Sequence, residues 1–362
     1  MQAEHIDLQT FKRDTSFYGS LDLWATVKNF DLQSIRARYL KSKQNKNSKT
    51  GSVERRAPAE GGIVSFSIHH GKLHSYEVLA KMKEPRGIAC YKDKLAYSSE
   101  NEVYIINQNK KECLKDPWFS YIHTVDFSKD GKQLLVSSSG FDLLLEYDLG
   151  SMERISEWWA WEHGFSQGTD PETGEKVTLS RVPMADKKDV RVISDPAKDV
   201  LPTAMRAAFI NSAEYDRSEA DTIIATFFHD GAIYSIDKKT GRAEVIIQDL
   251  KNPHGGMRIS NGYMGTSTRS GHVVVKDGYS EKRYAFQALP DKPVALEGEE
   301  WIQNSKYLDN GCIISIDSNR TCFVIFDPEN KLIDMIPYPD NLAVQDLLIC
   351  SQEQSIAWKK LF

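Results

Sequence analysis

The sequence predicts an all-β fold: a single β-propeller of about six four-stranded blades, closed by pairing of its N- and C-terminal strands. Three observations carry this. Six segments run from an apolar strand through a short polar turn into a second apolar strand. Most of them are preceded by another strand pair. The repeat also begins with a hairpin that lacks an inner pair and ends with an inner pair that lacks a hairpin.

The outer hairpins start at Ile63, Glu102, Leu143, Ala232, His272 and Cys322. Their centres hold turn formers such as Asp148-Leu149-Gly150, Lys239-Thr240-Gly241 and Asp277-Gly278. Inner pairs start at Arg86, His123, His254 and Gln303, and a longer version runs from Pro202 through TAMRAAF to IIATFF. AVQDLLICSQEQSIAWKKL at the C-terminus supplies the inner pair that the first hairpin lacks. Pairing the two ends removes open sheet edges. Residues 61–362 are therefore the propeller, with an insertion at about 158–201. Residues 1–60 are an N-terminal extension with a helix around Asp31–Tyr39 and a polar loop.

The chain has 362 residues, 40% hydrophobic and 27% charged, an ordinary globular composition. Its net charge of −5 and lack of a basic block argue against a nucleic-acid partner. The stretch Lys41–Lys49 reads as a solvated loop. Five cysteines without a CxxC pattern point to a reducing compartment, and the expected location is cytoplasmic. Met1–Asp14 has no apolar signal region, and no stretch approaches 18 apolar residues, so no membrane partner is expected. The sequence leaves the oligomeric state open.

PRGIA at Pro85, HTVDFSKDG at His123 and NPHGG at Asn252 are similar to the blade-opening strands of propellers of the broad NHL and SMP-30/gluconolactonase-like kind. The resemblance covers roughly residues 61–362 and implies architecture rather than a reaction.

Propeller geometry assigns sequence positions to a face. Inner strands start on the top face, and the turn between the second and third strands returns there. His123 and His254 open inner strands, with Arg86 and Gln303 at the equivalent positions. His229 lies in a second-to-third-strand turn, and His163 lies in the insertion. All four histidines map to the top face. Neutral imidazole is a common ligand of iron and zinc, and inner strands converge radially. Carotenoid-cleaving oxygenases use such a four-histidine iron centre, and the arrangement here resembles theirs. The expectation is one transition-metal ion on His123, His163, His229 and His254. Fe(II) is preferred, because four histidines saturate tetrahedral zinc, and Zn(II) is the alternative.

Glu162 and Asp230 neighbour two of these histidines and are candidate bases. Arg86 and Arg258 are further candidate catalytic groups, and Arg206 suits an anionic substrate. Trp161 and Phe165 are expected to roof a pocket for a small-molecule substrate, with Gln303 on its rim. Gly255 and Gly256 permit close backbone approach or relieve crowding at the axis. The leading expectation is a metal-dependent enzyme of oxygenase, lyase or hydrolase type. The alternatives are a metal-free histidine-dependent transferase or lyase, and a noncatalytic interaction propeller.

Overall fold

The computed structural model describes residues 3–44, 50–54, 57–107 and 110–362. Most of the polar loop expected at Lys41–Lys49 lies outside them. Six blades close into a propeller, as the sequence predicts. Blade 1 pairs Val344–Cys350, Leu21–Val27, Glu60–His69 and Lys72–Lys83, from the inside out. The inner strands of blades 2 to 6 are Ile88–Tyr91, Ile122–Phe127, Ile210–Tyr215, Pro253–Ile259 and Ile302–Tyr307. Each is followed by three antiparallel strands in chain order.

Closure differs from the expectation in one respect. The C-terminal segment contributes one strand to the closing blade, not two. Its second strand, Leu21–Val27, comes from the region read as an extension. The residues after Cys350 form helix α2 (Gln352–Lys359) instead of a strand. Ser351 and Gln354 form a capping box there, which satisfies two backbone donors at the helix start. Further upstream, Glu4–Asp7 adds a parallel strand to the outside of blade 5, and Lys12–Arg13 does the same on blade 6. Residues 1–60 are therefore not a separate extension. They strap two blades and complete a third. The expected helix is present as α1 (Leu32–Ser42), capped by the Asp31 side chain.

A second difference concerns TAMR. Thr203–Met205 is a single 3-10 turn, and the inner strand of blade 4 starts at Ile210. The insertion folds into a small three-stranded sheet of its own. Asp142, fully buried in blade 3, anchors both its ends. It accepts from Trp161 Nε1 at 3.1 Å and from the backbone N–H groups of Ala207 and Ala208 at 3.0 and 3.2 Å.

The apolar core is divided, with one cluster between each pair of neighbouring blades. Trp24, Tyr97 and Trp358 join blades 1 and 2; Phe127, Phe141 and Leu145 join blades 2 and 3. Ile210, Phe227 and Leu144 fill the next gap, then Ile233 and Val274. Met264 and Phe326 pack with Leu8 and Phe11 of the N-terminal strap, and Phe66 meets Phe323 to finish the circle. Burial of apolar area thus holds the blades side by side, and the axis is left to polar residues. Among the described residues no helix is long and apolar enough to cross a membrane.

Helix α2 inserts Trp358 between blades 1 and 2. The ring is fully buried, 5.5 Å edge-on from Trp24, and Nε1 donates to the Asp93 carbonyl at 3.0 Å. Trp358→Ala is expected to cost about 3–5 kcal/mol, as for other large buried aromatics. Urea unfolding measures it, and an unchanged midpoint would contradict this packing role.

Candidate functional site

Each blade delivers one buried polar residue to the top of the axis, from the start of its inner strand or, for Arg86, two residues before it: Gln345, Arg86, His123, Asn211, His254 and Gln303, in blade order 1 to 6. Four of them, Gln345, His123, Asn211 and Gln303, fall in a break in the register between the inner and second strands, and His254 is the last paired residue before such a break. Such a bulge leaves a residue out of the ladder and re-aims its side chain. Two residues earlier, Glu84, Tyr121, Phe209 and Asn252 hold left-handed backbone at φ of 39°, 57°, 49° and 50°. Non-glycine residues rarely adopt that conformation, and its clustering here marks the site. At Gly255, φ is +59° and an added Cβ would lie 1.9 Å from Asn304 Oδ1. That glycine relieves crowding at the axis.

Sequence reasoning placed Arg86, His123, His254 and Gln303 at equivalent positions, and the structure agrees. It missed Asn211 and Gln345. Asn211 was hidden because TAMR was read as the inner strand. Gln345 was legible in AVQD, at the start of the apolar C-terminal inner strand, but no equivalence to the other ring positions was drawn for it.

Above this ring lies a cavity of about 140 Å³. Its walls are aromatic: Tyr121, Phe209, Phe228 and Trp301, with Tyr39 from α1. Lys28, Arg38 and Arg86 line it, together with His123, His254, Gln345 and the hydroxyls of Ser42, Thr50, Ser52 and Thr203. No carboxylate of the described residues does. The roof is helix α1 and residues 50–52, not the tryptophan insertion. Arg36 fastens α1 to blade 6 by donating to the Ser318 and Asn319 carbonyls at 2.7 and 2.9 Å. Lys43 pairs with Glu299, and Tyr39 lies 4.5 Å edge-on to Trp301.

The guanidiniums of Arg86 and Arg206 both stack on Tyr121, at 3.6 and 4.1 Å from its centroid. Arg86 is also paired with Glu84 at 2.6 Å, both 1% exposed. Burial pushes Arg206 down to about 10, so it stays charged at neutral pH. His123 Nδ1 lies 3.2 Å from the Tyr121 carbonyl, which can only accept. Nδ1 therefore carries the proton, and Nε2 holds the lone pair. Burial holds His123 well below the usual imidazole range, and Arg86, His254 and Arg206 add to the shift. Burial, with Lys28 nearby, pushes His254 down to about 3. Its Nδ1 is 2.8 Å from Thr268 Oγ1. Both rings are neutral near pH 7.

The four proposed histidine ligands do not converge. His163 packs 4.9 Å from Trp158 and against Gly241, between the outer strands of blade 4. The ring of His229 lies 5.4 Å from those of Phe209 and Phe228 and does not line the cavity. Among the described residues no three His, Cys, Asp or Glu side chains group to hold a metal ion.

The other candidates scatter for similar reasons. Glu162 is exposed and paired with Arg181 at 2.5 Å. Asp230 accepts from the Tyr234 hydroxyl on the outer side of blade 4. Arg258 forks onto Asp216 at 2.7 Å, at the far end of the inner strands. Trp161 is core, and Phe165 packs on Phe227 and Tyr234. Gln303 is in the ring but does not line this cavity, and it accepts from Trp301 Nε1 at 2.8 Å.

A second cavity of about 500 Å³ opens at the opposite end of the axis, lined by Asp126, Glu214, Arg217 and Lys306 among apolar residues. Lys306 lies 3.2 Å from Glu214 and 3.4 Å from Asp346. Burial pushes Asp126 up to about 7, against the pull of Arg217.

The depressed His254 pKa makes a stability prediction. In the unfolded chain the imidazole titrates near 6.5; in the fold it does so at about 3. The unfolded state binds more protons between these values, so this contribution is full above about pH 6.5 and is lost as pH falls toward 3. His254→Gln should flatten the decline in stability across that window, measured by urea unfolding at each pH. An unaltered slope would show that His254 is not buried neutral.

No family model and no curated protein matches the sequence. Solved structures do resemble the fold. A nidogen/laminin complex contains a chain with TM-score 0.55 at 9% identity, covering 92% of this chain and 99% of that one. A protein of unknown function from Bacteroides caccae has TM-score 0.53 at 10% identity, covering 92% of this chain and 100% of that one. A virginiamycin B lyase from Staphylococcus aureus has TM-score 0.44 at 11% identity, covering 71% of each chain. At such identities the likeness is one of architecture: this chain is a six-bladed β-propeller with a polar axial site under an N-terminal roof.

Proposed function

We propose that the chain binds a small anionic organic molecule in the upper axial cavity and acts on it by acid–base chemistry through His123. One observation carries this reading: Lys28 and Arg38 line the cavity beside two neutral imidazoles and Arg86, which is paired with Glu84 behind it, and no carboxylate of the described residues lines it. An anion there gains from several cations in a partly dry site. It also changes the histidine. Burial makes His123 a weak resting base, and the positive charges of Arg86 and Arg206 weaken it further. A bound anion offsets them and raises its pKa toward the working range, so Nε2 becomes competent when substrate is present. This corresponds to a metal-free lyase or transferase. All five cysteines are free thiols, which fits the cytoplasmic setting we propose with it.

A metal-dependent reading is favoured by one feature. Both imidazoles are neutral and have Nδ1 held by a partner, as metal-ligating histidines do. His123 and His254 would then be two ligands of an iron or zinc ion. Metal analysis of untagged protein purified anaerobically separates the readings. We expect less than stoichiometric iron and zinc. About one ion per chain, lost in His254→Ala, would overturn the metal-free assignment.

The anion reading is tested by thermal shift with a panel of small carboxylates and phosphates. A ligand at about 100 times its Kd adds about 2.7 kcal/mol. At least one compound should stabilise the wild type, and Lys28→Ala with Arg38→Ala should abolish the shift. Stabilisation by none would move the search to a noncatalytic interaction surface.

A further inference from the structure

Helix α1 covers two spaces. Ile35, Arg38, Tyr39 and Ser42, at the i, i+3, i+4, i+7 spacing of one helix face, line the axial cavity. Leu32, Ile35, Arg36 and Tyr39 repeat that spacing three residues earlier and line a smaller cavity of about 40 Å³. The two adjoin, since Lys28, Ile35, Tyr39 and Trp301 border both. Leu32, Leu296, Ala343 and Val344 make the smaller lobe mainly apolar, and no carboxylate of the described residues lines it.

Two buried donors of residues lining this lobe have no partner. Gln303 is 2% exposed. An indole N–H can only donate, so the 2.8 Å bond from Trp301 Nε1 fixes Gln303 Oε1 as its acceptor and identifies the other amide atom as Nε2. That Nε2 is buried without a hydrogen-bond partner. Arg36 Nε is buried and unpaired as well, while its Nη2 donates to the Ser318 and Asn319 carbonyls. The unpaired acceptors of the ring, Asn211 Oδ1 and Gln345 Oε1, belong to residues that do not line this lobe. Buried polar groups are nearly always paired, so orphaned donors mark a place for an acceptor. Here the orphans include part of a guanidinium whose bonds go to neutral carbonyls.

We infer, resting on the anion-binding reading above, that the ligand is a short dicarboxylate. One carboxylate lies in the axial cavity beside Lys28 and Arg38. The second enters the lobe and accepts from Gln303 Nε2 and Arg36 Nε. A guanidinium suits a carboxylate better than the carbonyls it now holds, because the bond is then charge-assisted on both sides. Size limits the second group. Roughly 10–15 Å³ holds one water, so a lobe of about 40 Å³ admits a carboxylate and little more. The two stripes of α1 are offset by three residues, about 4.5 Å along the helix. That offset calls for a link of two or three carbons, which Ile35 and Trp301 flank at the junction.

The test compares diacids with monoacids of equal chain length by isothermal titration calorimetry: succinate against butyrate, and glutarate against pentanoate. In the wild type at least one diacid should bind about tenfold or more tightly than its matched monoacid, because a site built to pair a polar group rejects the analogue that lacks it. Gln303→Glu keeps an acceptor for Trp301 Nε1 but replaces the orphan donor with a carboxylate. It should abolish the diacid preference. Arg36→Met removes the other donor and should do the same, so the inference remains testable if one variant fails to fold, as judged by its urea midpoint. Lys28→Ala with Arg38→Ala should weaken diacid and monoacid together. Equal binding of diacid and monoacid in both pairs, or a preference that survives in a folded Gln303→Glu or Arg36→Met variant, overturns the inference. If no diacid is preferred but another anion of the panel stabilises the protein, the second carboxylate is wrong and the anion site stands. If no anion binds at all, both fall.

Discussion

The pairing of Val344–Cys350 with Leu21–Val27 is the constraint on which the rest depends. The apolar core is divided among the gaps between blades, so each blade is stabilised only by its neighbours. An unclosed ring would expose two sheet faces and leave the first and last blades half-packed. Closure joins residues more than 300 positions apart in the chain, which carries an entropic cost that grows only slowly with separation. The N-terminal strap offsets part of it by adding strands to blades 5 and 6 before the chain enters blade 1. Leu8 and Phe11 bury themselves in the gap between those two blades.

Closure also makes the site. Six inner strands are forced to converge, and their first residues meet at an axis too narrow for large apolar side chains. Bulges and left-handed residues at the strand starts then turn polar groups inward. This arrangement works against stability. It buries the Arg86–Glu84 ion pair, whose desolvation is expensive, and leaves amide atoms unpaired. The apolar layers between blades hold the strained residues in place, which is how such positions persist.

The two ends of the axis differ in charge. Cations and neutral imidazoles line the upper mouth, whereas carboxylates outnumber cations at the lower one. At the lower mouth Lys306 is held protonated, mainly by Asp346 and Glu214, against the pull of burial.

Much of this was legible in the sequence, because the physics involved is local. Strand alternation and turn chemistry identified the six outer hairpins, and counting them gave the blade number. The same pattern put Arg86, His123, His254 and Gln303 on one ring, since equivalent positions in equivalent blades occupy equivalent places. Position around the axis is set by the repeat; position away from it is not. His163 and His229 ride on connections whose path depends on what they pack against, and Trp158 and Phe209 hold them outside the cavity. Glu162, Asp230 and Arg258 found partners nearer than the axis. The roof could not be read either. Helix α1 was visible from its own residues, but Arg36 and Lys43 reach partners 282 and 256 positions away. The sequence by itself determined the architecture and the ring, because both follow from a short-range repeat. Only the tertiary structure decided which residues cover that ring, because contacts between distant segments carry no local signature.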